Sequence, residues 1–278
     1  MGGIAQGRKA KQADRSRRGG RGHLLEFTMM DVIHAASDSR QPFRDARGQG
    51  SIVFDPAQLR QATPALFDPA SYGADAQAVR GLGGRGAAWF VRGPFGEGVL
   101  RHYRRGGWAA RASERSYLWQ GEGRVRSLRE YALLDELRAL GLPVPAPIAA
   151  CYQRQDFRYR AAIIVRRIAE AHSFAALVAE RAEAAPWSEV GRVIGRFHRH
   201  YAHHADLNAH NVLLDAGHVA WLIDWDKGRI EPGAGSWRQR VVDRLHRSLR
   251  KECPGLTDAQ LVAGMQLLQA AHDQEQVP

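Results

Sequence analysis

The sequence predicts an α+β protein in which strands are concentrated in the first part of the chain and helices in the rest. Short β-branched and aromatic runs bounded by glycine or proline, such as residues 161–165, occur up to about residue 167. Farther along, apolar residues recur at helical spacing in residues 187–201 and again in residues 236–251. The 278 residues, 44% of them apolar, are enough for one large domain or two small lobes.

Residues 1–48 are rich in glycine, arginine, serine and glutamine and lack a sustained apolar period, which predicts a disordered basic segment. A nucleic-acid-binding arm is an alternative, although few aromatic residues are present to stack on bases. A start of translation at Met29 or Met30 is another. The net charge of the whole chain, +11, favours a polyanionic partner such as nucleic acid, anionic lipid head groups or a phosphorylated substrate.

The cysteine content and the hydropathy of the chain bear on its compartment. The chain has 2 cysteines, Cys151 and Cys253, which is too few for a disulfide framework and favours a reducing environment. No apolar run approaches the roughly 20 residues of a membrane-spanning helix, and no signal-peptide pattern follows Met1. We therefore expect the protein to stay in the cytoplasm.

A glycine cluster at residues 81–86 precedes the strand-like run 88–91, and a second predicted strand follows at residues 98–103. Such a cluster is often an ordinary hairpin turn. Because glycine lets backbone amides approach an anion closely, it can also bind phosphate, and Gly83, Gly84 and Gly86 are then the contacting residues. Arg101 on the second strand adds a permanent charge that can bind phosphate bidentately.

A helix is predicted over residues 124–140, because apolar residues recur there every three to four positions and Gly141 and Pro143 follow. Glu130 lies on this helix, either as a solvated surface carboxylate or as the partner of a buried cation. After the buried strand 161–165, residues 166–169 are predicted to connect the β-rich part of the chain to the helical part.

Residues 204–226 contain two polar clusters joined by the apolar runs 212–214 and 219–223, which predict a β-hairpin around a turn that contains Asp and Gly. This hairpin would bring Asp206, Asn211 and Asp224 together at one end. Buried carboxylates destabilise a core unless they are paired, whereas carboxylate and amide oxygens are suitable ligands for Mg²⁺. We therefore predict a magnesium site at this end of the hairpin.

The order and spacing of His204, Asp206, Asn211 and Asp224 match the catalytic loop of protein kinases. In that template Asp206 is the catalytic base, which accepts the proton of the attacking hydroxyl, and the other two oxygen donors hold the metal on the nucleotide phosphates. A chance match is disfavoured because the predicted hairpin follows the motif at the required place.

The same template assigns roles in the first part of the chain. A kinase carries its phosphate-binding lysine on the strand after the glycine-rich turn and pairs it with a helical glutamate. Arg101 and Glu130 occupy these places here, and the adenine of the nucleotide is expected against residues 166–169.

Several histidines cluster near the motif, at residues 198, 200, 203 and 204. The spacing of two of them suits metal ligands on one helix face, but no accompanying Glu or Cys pattern supports a zinc site. We expect His204 to shape the loop through a hydrogen bond to the backbone.

The chain resembles the bacterial 3-deoxy-D-manno-octulosonic acid (Kdo) kinases, relatives of the lipopolysaccharide heptose kinases, over about residues 50–275. The most specific similarity lies in Asp206-Leu-Asn-Ala-His-Asn211 and in Arg101-His-Tyr-Arg-Arg-Gly-Gly107. The remaining stretches that carry the resemblance are residues 141–145, 223–226 and 244–249.

This resemblance implies a protein-kinase-like two-lobed fold with a small β-rich N-lobe at residues 49–167 and a mainly helical C-lobe at residues 168–278. It further implies ATP and Mg²⁺ as cosubstrates and phosphate transfer to the 4-hydroxyl of a Kdo residue on a Kdo-bearing lipid A precursor. The enzyme would then be a peripheral protein on the cytoplasmic side of the bacterial inner membrane. Asp206 would be the base, and Asn211 and Asp224 the metal ligands.

Two other classes of function stay open. A small-molecule kinase of the aminoglycoside type, or a heptose kinase of the same fold, shares the catalytic loop. A basic nucleic-acid-binding protein fits the charge, but the chain contains no recognised nucleic-acid module, so we expect no nucleic-acid partner. A protein substrate is not expected either, since Trp225-Asp226 replaces the kinase Phe-Gly and no peptide-docking segment with an Ala-Pro-Glu motif follows.

Residues 236–251 predict a basic amphipathic helix. Apolar residues recur every four positions and basic residues occupy much of the remaining circumference. The charges could merely solvate the helix. Alternatively, exposed arginines, with Arg244, Arg247 and Arg250 as the candidates, contact the carboxylate and phosphates of the acceptor lipid at an anionic membrane surface.

Overall fold

The structure is a computed structural model, and it describes residues 39–79, 88–103 and 116–276. Within these ranges, eight strands of the first part of the chain form one antiparallel sheet in the order β1-β2-β7-β8-β5-β4-β3, with β6 paired to β8. The strands are β1 (Arg40–Asp45), β2 (Gly48–Phe54), β3 (Ala76–Ala78), β4 (Ala88–Gly93), β5 (Gly96–His102), β6 (Tyr117–Leu118), β7 (Pro147–Gln155) and β8 (Arg158–Arg166).

Helix α1 (Arg126–Ala139) covers one face of this sheet. Successive residues of β8 enter different clusters: Ile163 packs with the α1 side chains, and Ile164 packs on the opposite face with Phe67 and Phe95. Because both faces are covered, the strand is a continuous apolar run rather than an alternating one. Short 3₁₀ helices at Pro64–Phe67 and Pro69–Asp75 contribute to the second face, and a third lies at Glu122–Arg124.

The rest of the chain is mainly helical. It contains α2 (Phe174–Glu180), a 3₁₀ turn at Ala182–Ala184, α3 (Trp187–Arg199), α4 (Trp237–Glu252) and α5 (Asp258–Gln276). Short strands connect these helices: β9 (His172–Ser173), β10 (Ala202–His203), β11 (Val212–Leu214), β12 (Ala220–Leu222) and β13 (Arg229–Ile230).

Helices α3 and α5 form the tightest helix pair of this part. A Cβ atom on Gly191 would lie 2.0 Å from the carbonyl oxygen of Leu268, and one on Gly195 would lie 2.6 Å from that of His272. Only glycine permits so close an approach of the two backbones. The predicted helices are confirmed, although α1 starts two residues late because Glu122–Arg124 forms its own 3₁₀ turn.

The prediction of disorder up to residue 48 is wrong from β1 onward, and residues 1–38 lie outside the described ranges. Strand β1 pairs with β2 along its whole length, and Phe43 packs over Gly50, where a Cβ would lie within 2.9 Å of the Phe43 ring. An ion pair between Arg40 and Glu122 adds a link to the body of the protein. Composition could not reveal this edge strand, because β1 is held by the adjacent strand β2, and β2 in turn is held in the sheet by the distant strand β7.

The mixed α+β class is confirmed, with an antiparallel sheet and several helices. Among the described residues, no helix combines the length and the apolar character needed to cross a bilayer.

Candidate active site

A cavity of about 1020 Å³ lies between the sheet and the helical part of the chain. Strands β4, β5 and β8 contribute apolar side chains to one end, and the loops around the β11–β12 hairpin contribute polar side chains to the other. The residues that matter below are Phe90, Val99, Arg101, Glu130, Val165, Asn208, His210, Asn211, Asp224, Arg244, Arg247, Ser248 and Lys251.

The predicted hairpin is confirmed as β11 and β12, which pair around a turn that starts at Asp215. At its open end the backbone N–H of Ile223 donates to the carbonyl of Asn211 at 3.0 Å, and the amide Nδ2 of Asn211 donates to the carbonyl of Asp206 at 3.0 Å. The hairpin therefore holds the three segments that carry Asp206, Asn211 and Asp224 close together, as the sequence predicts.

Asn211 and Asp224 both line the cavity and present hard oxygen atoms. The hydrogen bond through Nδ2 fixes the orientation of the buried Asn211 amide. Its other polar atom, Oδ1, can then serve as a ligand for a cation. Asp224 has a left-handed backbone, with φ of 64°, and its side chain is 44% exposed toward the cavity. One amide and one carboxylate fit Mg²⁺, which usually takes few protein ligands and completes its shell with phosphate and water oxygens. Among the described residues, no cluster of three or more His, Cys, Asp or Glu side chains suits a metal.

His204 lies buried beneath the loop, and its Nε2 donates to the carbonyl of Ile223 at 2.9 Å. The expected hydrogen bond to the backbone is confirmed. Burial lowers the pKa of His204, so the imidazole is neutral at pH 7. Its ring packs edge-on against Trp225, which fixes the backbone on both sides of Asp224.

Arg101 and Glu130 form the predicted pair, with 2.5 Å between Nη2 and Oε2. The Glu130 side chain is only 2% exposed, so it is not a solvated surface carboxylate. It also accepts hydrogen bonds from the Tyr103 hydroxyl and, at 3.2 Å, from the backbone N–H of Trp225. Burial raises the pKa of Glu130, and the Arg101 charge and these hydrogen bonds oppose that rise.

Arg101 also contacts the Asp224 carboxylate through Nη1. Burial by itself would raise the pKa of Asp224, but the charge of Arg101 outweighs it and holds this pKa below its ordinary value. Burial likewise would lower the pKa of Arg101, and its two acidic neighbours raise it instead. Both groups are therefore charged at neutral pH, and one guanidinium connects α1 to the predicted metal ligand.

The Asp206 carboxylate pairs with two cations. Its Oδ1 accepts a hydrogen bond from the guanidinium of Arg244 on α4, and its Oδ2 lies 3.5 Å from Nζ of Lys227. Asp206 does not itself line the cavity, but Arg244 does, together with Asn208. The predicted base therefore lies at the edge of the cavity, with α4 directly beside it.

The structure adds an ion pair that the sequence did not predict. Asp226 accepts a hydrogen bond at 2.7 Å from Nε of Arg126, the first residue of α1, and a second one from Nη2 of the same guanidinium. Another nitrogen of Arg126 donates to the Tyr117 hydroxyl at 2.9 Å. The two partners of the pair are 100 positions apart, and no periodicity or motif connects residues at that separation.

The glycines predicted to contact phosphate, Gly83, Gly84 and Gly86, lie outside the described residues. The predicted connection does border the cavity through Arg166, Arg167 and Ile168. The guanidinium of Arg167 stacks 4.2 Å from the centre of the Phe90 ring, beside the apolar end of the cavity.

Helix α4 is amphipathic as predicted: Trp237, Val241, Leu245 and Leu249 are buried. Its basic side chains are not all free to meet a membrane, however. Arg238 donates to Gln276 and to the carbonyl of His198. Arg244, Arg247 and Lys251 line the cavity, and Arg250 pairs with Asp258. The pattern of charges could not tell which side of the helix faces the cleft.

Candidate oxygen ligands for a metal, a nearby candidate base and a cation paired with a buried carboxylate around one cleft are the parts of a phosphotransferase of the kinase type. The model of the lipopolysaccharide kinase (Kdo/WaaP) family matches residues 71–266, which is more than half of the chain. The chain belongs to this family, and the predicted resemblance is confirmed.

Individual relatives agree with the family match. The chain is 51% identical over 220 residues to the 3-deoxy-D-manno-octulosonic acid kinase of Xanthomonas campestris pv. campestris, covering 79% of this chain and 88% of the relative. It is 53% identical over 222 residues to the protein of the same name from Stenotrophomonas maltophilia, with the same two coverages. The match to the kinase of that name from Xanthomonas oryzae pv. oryzae is 50% identical over 220 residues, again 79% of this chain and 88% of the relative.

Proposed function

We propose that this protein transfers the γ-phosphate of ATP to the 4-hydroxyl of a Kdo residue on a Kdo-bearing lipid A precursor, a step of lipopolysaccharide core biosynthesis. The observation that carries the proposal is the identity of 50–53% to named Kdo kinases across 79% of the chain. The grouping of Asp206, Asn211 and Asp224 at one end of a hairpin beside a large cavity supports it.

The fold that goes with this function is the two-lobed kinase fold. The sheet and α1 belong to an N-lobe at residues 49–167, now extended to include β1, and the helices after residue 168 belong to a C-lobe. The cavity then lies in the cleft between the lobes. Its apolar end, near Phe90, Val99 and Val165, has the character needed for adenine, and residues 166–169 border it.

The charged end of the cavity suits the nucleotide phosphates. Arg101, held by Glu130, supplies a permanent cation. Asn211 and Asp224 would hold Mg²⁺, which when bound neutralises the charge on the phosphates during transfer. Arg101 contacts one oxygen of Asp224 in this structure, so this carboxylate would be shared between the guanidinium and the metal.

Asp206 serves as the general base. As the acceptor hydroxyl oxygen forms a bond to the γ-phosphorus, its proton passes to the Asp206 carboxylate and the bond from that phosphorus to the β–γ bridging oxygen breaks, releasing ADP. Most of the rate gain in phosphoryl transfer comes from positioning and charge neutralisation rather than covalent chemistry. The hydrogen bond of Asn211 to the Asp206 carbonyl therefore matters, since it aligns base and metal site.

The decisive assay supplies the purified protein with γ-labelled ATP, Mg²⁺ and Kdo-bearing lipid A precursor. Label should enter the lipid, and Asp206→Asn should lower this transfer by roughly 10²- to 10⁴-fold while ATP binding survives. Wild-type rates in that variant would remove Asp206 from the mechanism. Label in an aminoglycoside and none in the lipid would overturn the proposed acceptor.

The acceptor carries lipid chains, so we also propose that the enzyme works as a peripheral protein at an anionic membrane surface, on the cytoplasmic side of the inner membrane. The net charge of +11 supports this, as does the exposed Arg240 on α4. Arg250 on the same helix is exposed as well and shares its charge with Asp258. Each basic residue near such a surface contributes about 1 kcal/mol of attraction, and this attraction is screened within about 8 Å at physiological ionic strength.

Cosedimentation with anionic vesicles tests the membrane proposal. The double variant Arg240→Gln/Arg250→Gln should sediment less than wild type at low salt, and the difference should shrink at high salt. Arg181→Gln/Arg192→Gln removes the same charge from exposed sites elsewhere and serves as the control. Equal losses in both variants would show that net charge, and not this helix, attracts the protein.

A further inference from the structure

The guanidinium of Arg244 is bound to one of the two carboxylate oxygens of Asp206, the predicted base. Arg244 donates to Oδ1, while Lys227 lies beside Oδ2, so cations face both oxygens. A general base must come within hydrogen-bond distance of the proton that it removes. Arg244 therefore competes with the acceptor hydroxyl for Oδ1 as long as it stays bound there.

One face of helix α4 lines the cavity next to Asp206 and could bind an anionic group. Arg244, Arg247, Ser248 and Lys251 follow each other at intervals of three, one and three residues, which places them on one face of the helix, and all four line the cavity. The opposite face, with Leu245 and Leu249, is buried in the core and fixes the rotation of the helix.

The cations of this face are unevenly neutralised. Lys251 pairs with Glu252 at 2.7 Å, and Arg244 pairs with Asp206. Arg247 forms no ion pair with any of the described residues, although it lines the cavity. The hydroxyl of Ser248 accepts from the backbone N–H of Ala209 at 3.0 Å, which ties this part of α4 to the loop between Asp206 and Asn211. This face of α4 is therefore positively charged, lies beside the predicted base and can bind an anion.

We propose that Arg244 and Arg247 bind the carboxylate of the acceptor sugar, and that this carboxylate draws Arg244 away from Asp206. The inference rests on the proposed function, since the sugar named in the relatives is an acid. Arginine binds carboxylates bidentately and strongly. A neutral sugar has no carboxylate for Arg244, which then stays bound to Asp206. The enzyme therefore selects acidic sugars in two ways, by binding them more tightly and by freeing Asp206 to act as the base.

The test compares two acceptors, the Kdo-bearing lipid A precursor and the same lipid with the Kdo carboxyl group converted to its primary amide. Wild type should prefer the acid by roughly 10- to 100-fold in kcat/KM, the range expected for hydrogen bonds between charged groups. Part of the loss on the amide should appear in kcat, because Arg244 then stays on Asp206. Arg244→Gln should be slow on the acid and should discriminate between the two lipids by less than about threefold.

Arg192→Gln is the matched control: its side chain is 48% exposed against 45% for Arg244, and its partner is Glu189 on α3. This variant should keep the wild-type preference for the acid. Arg244→Lys, which retains the charge without the bidentate geometry, should discriminate to an intermediate degree, and nucleotide binding reports whether each variant is folded.

The inference is overturned if wild type uses both lipids equally, if Arg244→Gln keeps the full preference, or if Arg192→Gln loses it as well. These outcomes differ from failure of the proposed function, in which wild type transfers no phosphate to the acid lipid.

Discussion

Glu130 is the buried charge on which several parts of the site depend. It receives hydrogen bonds from Arg101 on β5, from the Tyr103 hydroxyl and from the backbone of Trp225, next to Asp224. A buried carboxylate is tolerated only when such donors replace water. Because burying Glu130 without these donors would be costly, its burial favours the one arrangement that brings β5, α1 and the segment around Asp224 together.

Arg101 can be tested by a graded substitution. Arg101→Ala should raise the KM for ATP about tenfold or more, because it removes a charge-assisted contact to phosphate and leaves Glu130 buried without its cation. Arg101→Lys should retain part of the activity, since the charge remains while the fork geometry is lost. Unchanged ATP kinetics in Arg101→Ala would mean that Arg104 or Arg105, outside the described residues, supplies the phosphate cation.

Asp224 should matter for the metal more than for stability. Asp224→Ala should lower kcat at least as much as Asp206→Asn and should weaken Mg²⁺-dependent nucleotide binding, measured by titration calorimetry with and without Mg²⁺. Without Mg²⁺ the variant should bind nucleotide about as well as wild type or better, because Arg101 is released from its contact with Asp224. An equal loss with and without Mg²⁺ would argue against Asp224 as a metal ligand.

Helix α3 combines a buried face that the sequence predicts with a close helix contact that it does not predict. Its apolar stripe predicts a buried face, and Val190, Ile194 and Phe197 are indeed buried. The glycines on the same helix have no such signature, yet Gly191 and Gly195 allow α5 to approach backbone to backbone.

Gly191→Ala tests this approach. The added Cβ would lie 2.0 Å from the Leu268 carbonyl oxygen, so the helices must separate, and we expect a loss of about 1–3 kcal/mol in the free energy of unfolding. The intrinsic preference of alanine for helices would act in the opposite direction by up to about 1 kcal/mol. Gly255→Ala is the control, because a Cβ there would meet nothing within 4 Å. A Gly191→Ala protein as stable as wild type in urea would contradict the close packing.

The stability of the whole molecule should fall as the pH falls below neutrality. His198 and His272 lie buried between α3 and α5, with 2.8 Å between Nδ1 and Nε2. Burial lowers the pKa of His198 to about 2, with His272, Arg238 and His203 adding to the effect, and burial also lowers the pKa of His204. Asp273 contacts the outer nitrogen of His272 at 2.8 Å.

The sign follows from where protons bind. An unfolded histidine has a pKa of about 6.5, so below that pH the unfolded chain binds protons that the native His198 and His204 do not bind. For His198 alone, folding loses about 1.4 kcal/mol between pH 7.5 and 5.5. Urea unfolding at the two pH values measures this loss. His198→Gln should reduce the difference by about one histidine's share, whereas His218→Asn, on an exposed turn with φ of 61°, should not. An undiminished difference in His198→Gln would show that other groups cause the loss.

Local sequence was enough to predict the elements that carry the site. The hairpin, α1, α3, α4 and the strands of Arg101 and of residues 161–165 follow from periodicity and turn residues, which depend on contacts within a few positions along the chain. The spacing from His204 to Asn211 also identified the residues that the hairpin brings together, because a short loop limits where its side chains can lie.

Contacts between distant segments could be found only in three dimensions. The pairing of β2 with β7, the Arg126–Asp226 ion pair and the contact of Arg244 with Asp206 join positions that no local pattern connects. The rotation of α4 belongs here as well: its sequence shows that one side is apolar, but the burial of Leu245 and Leu249 decides that Arg244, Arg247 and Lys251 face the cleft. The physical reason is that burial and ion pairing depend on what the other segments place opposite each side chain, whereas periodicity reports only the segment itself.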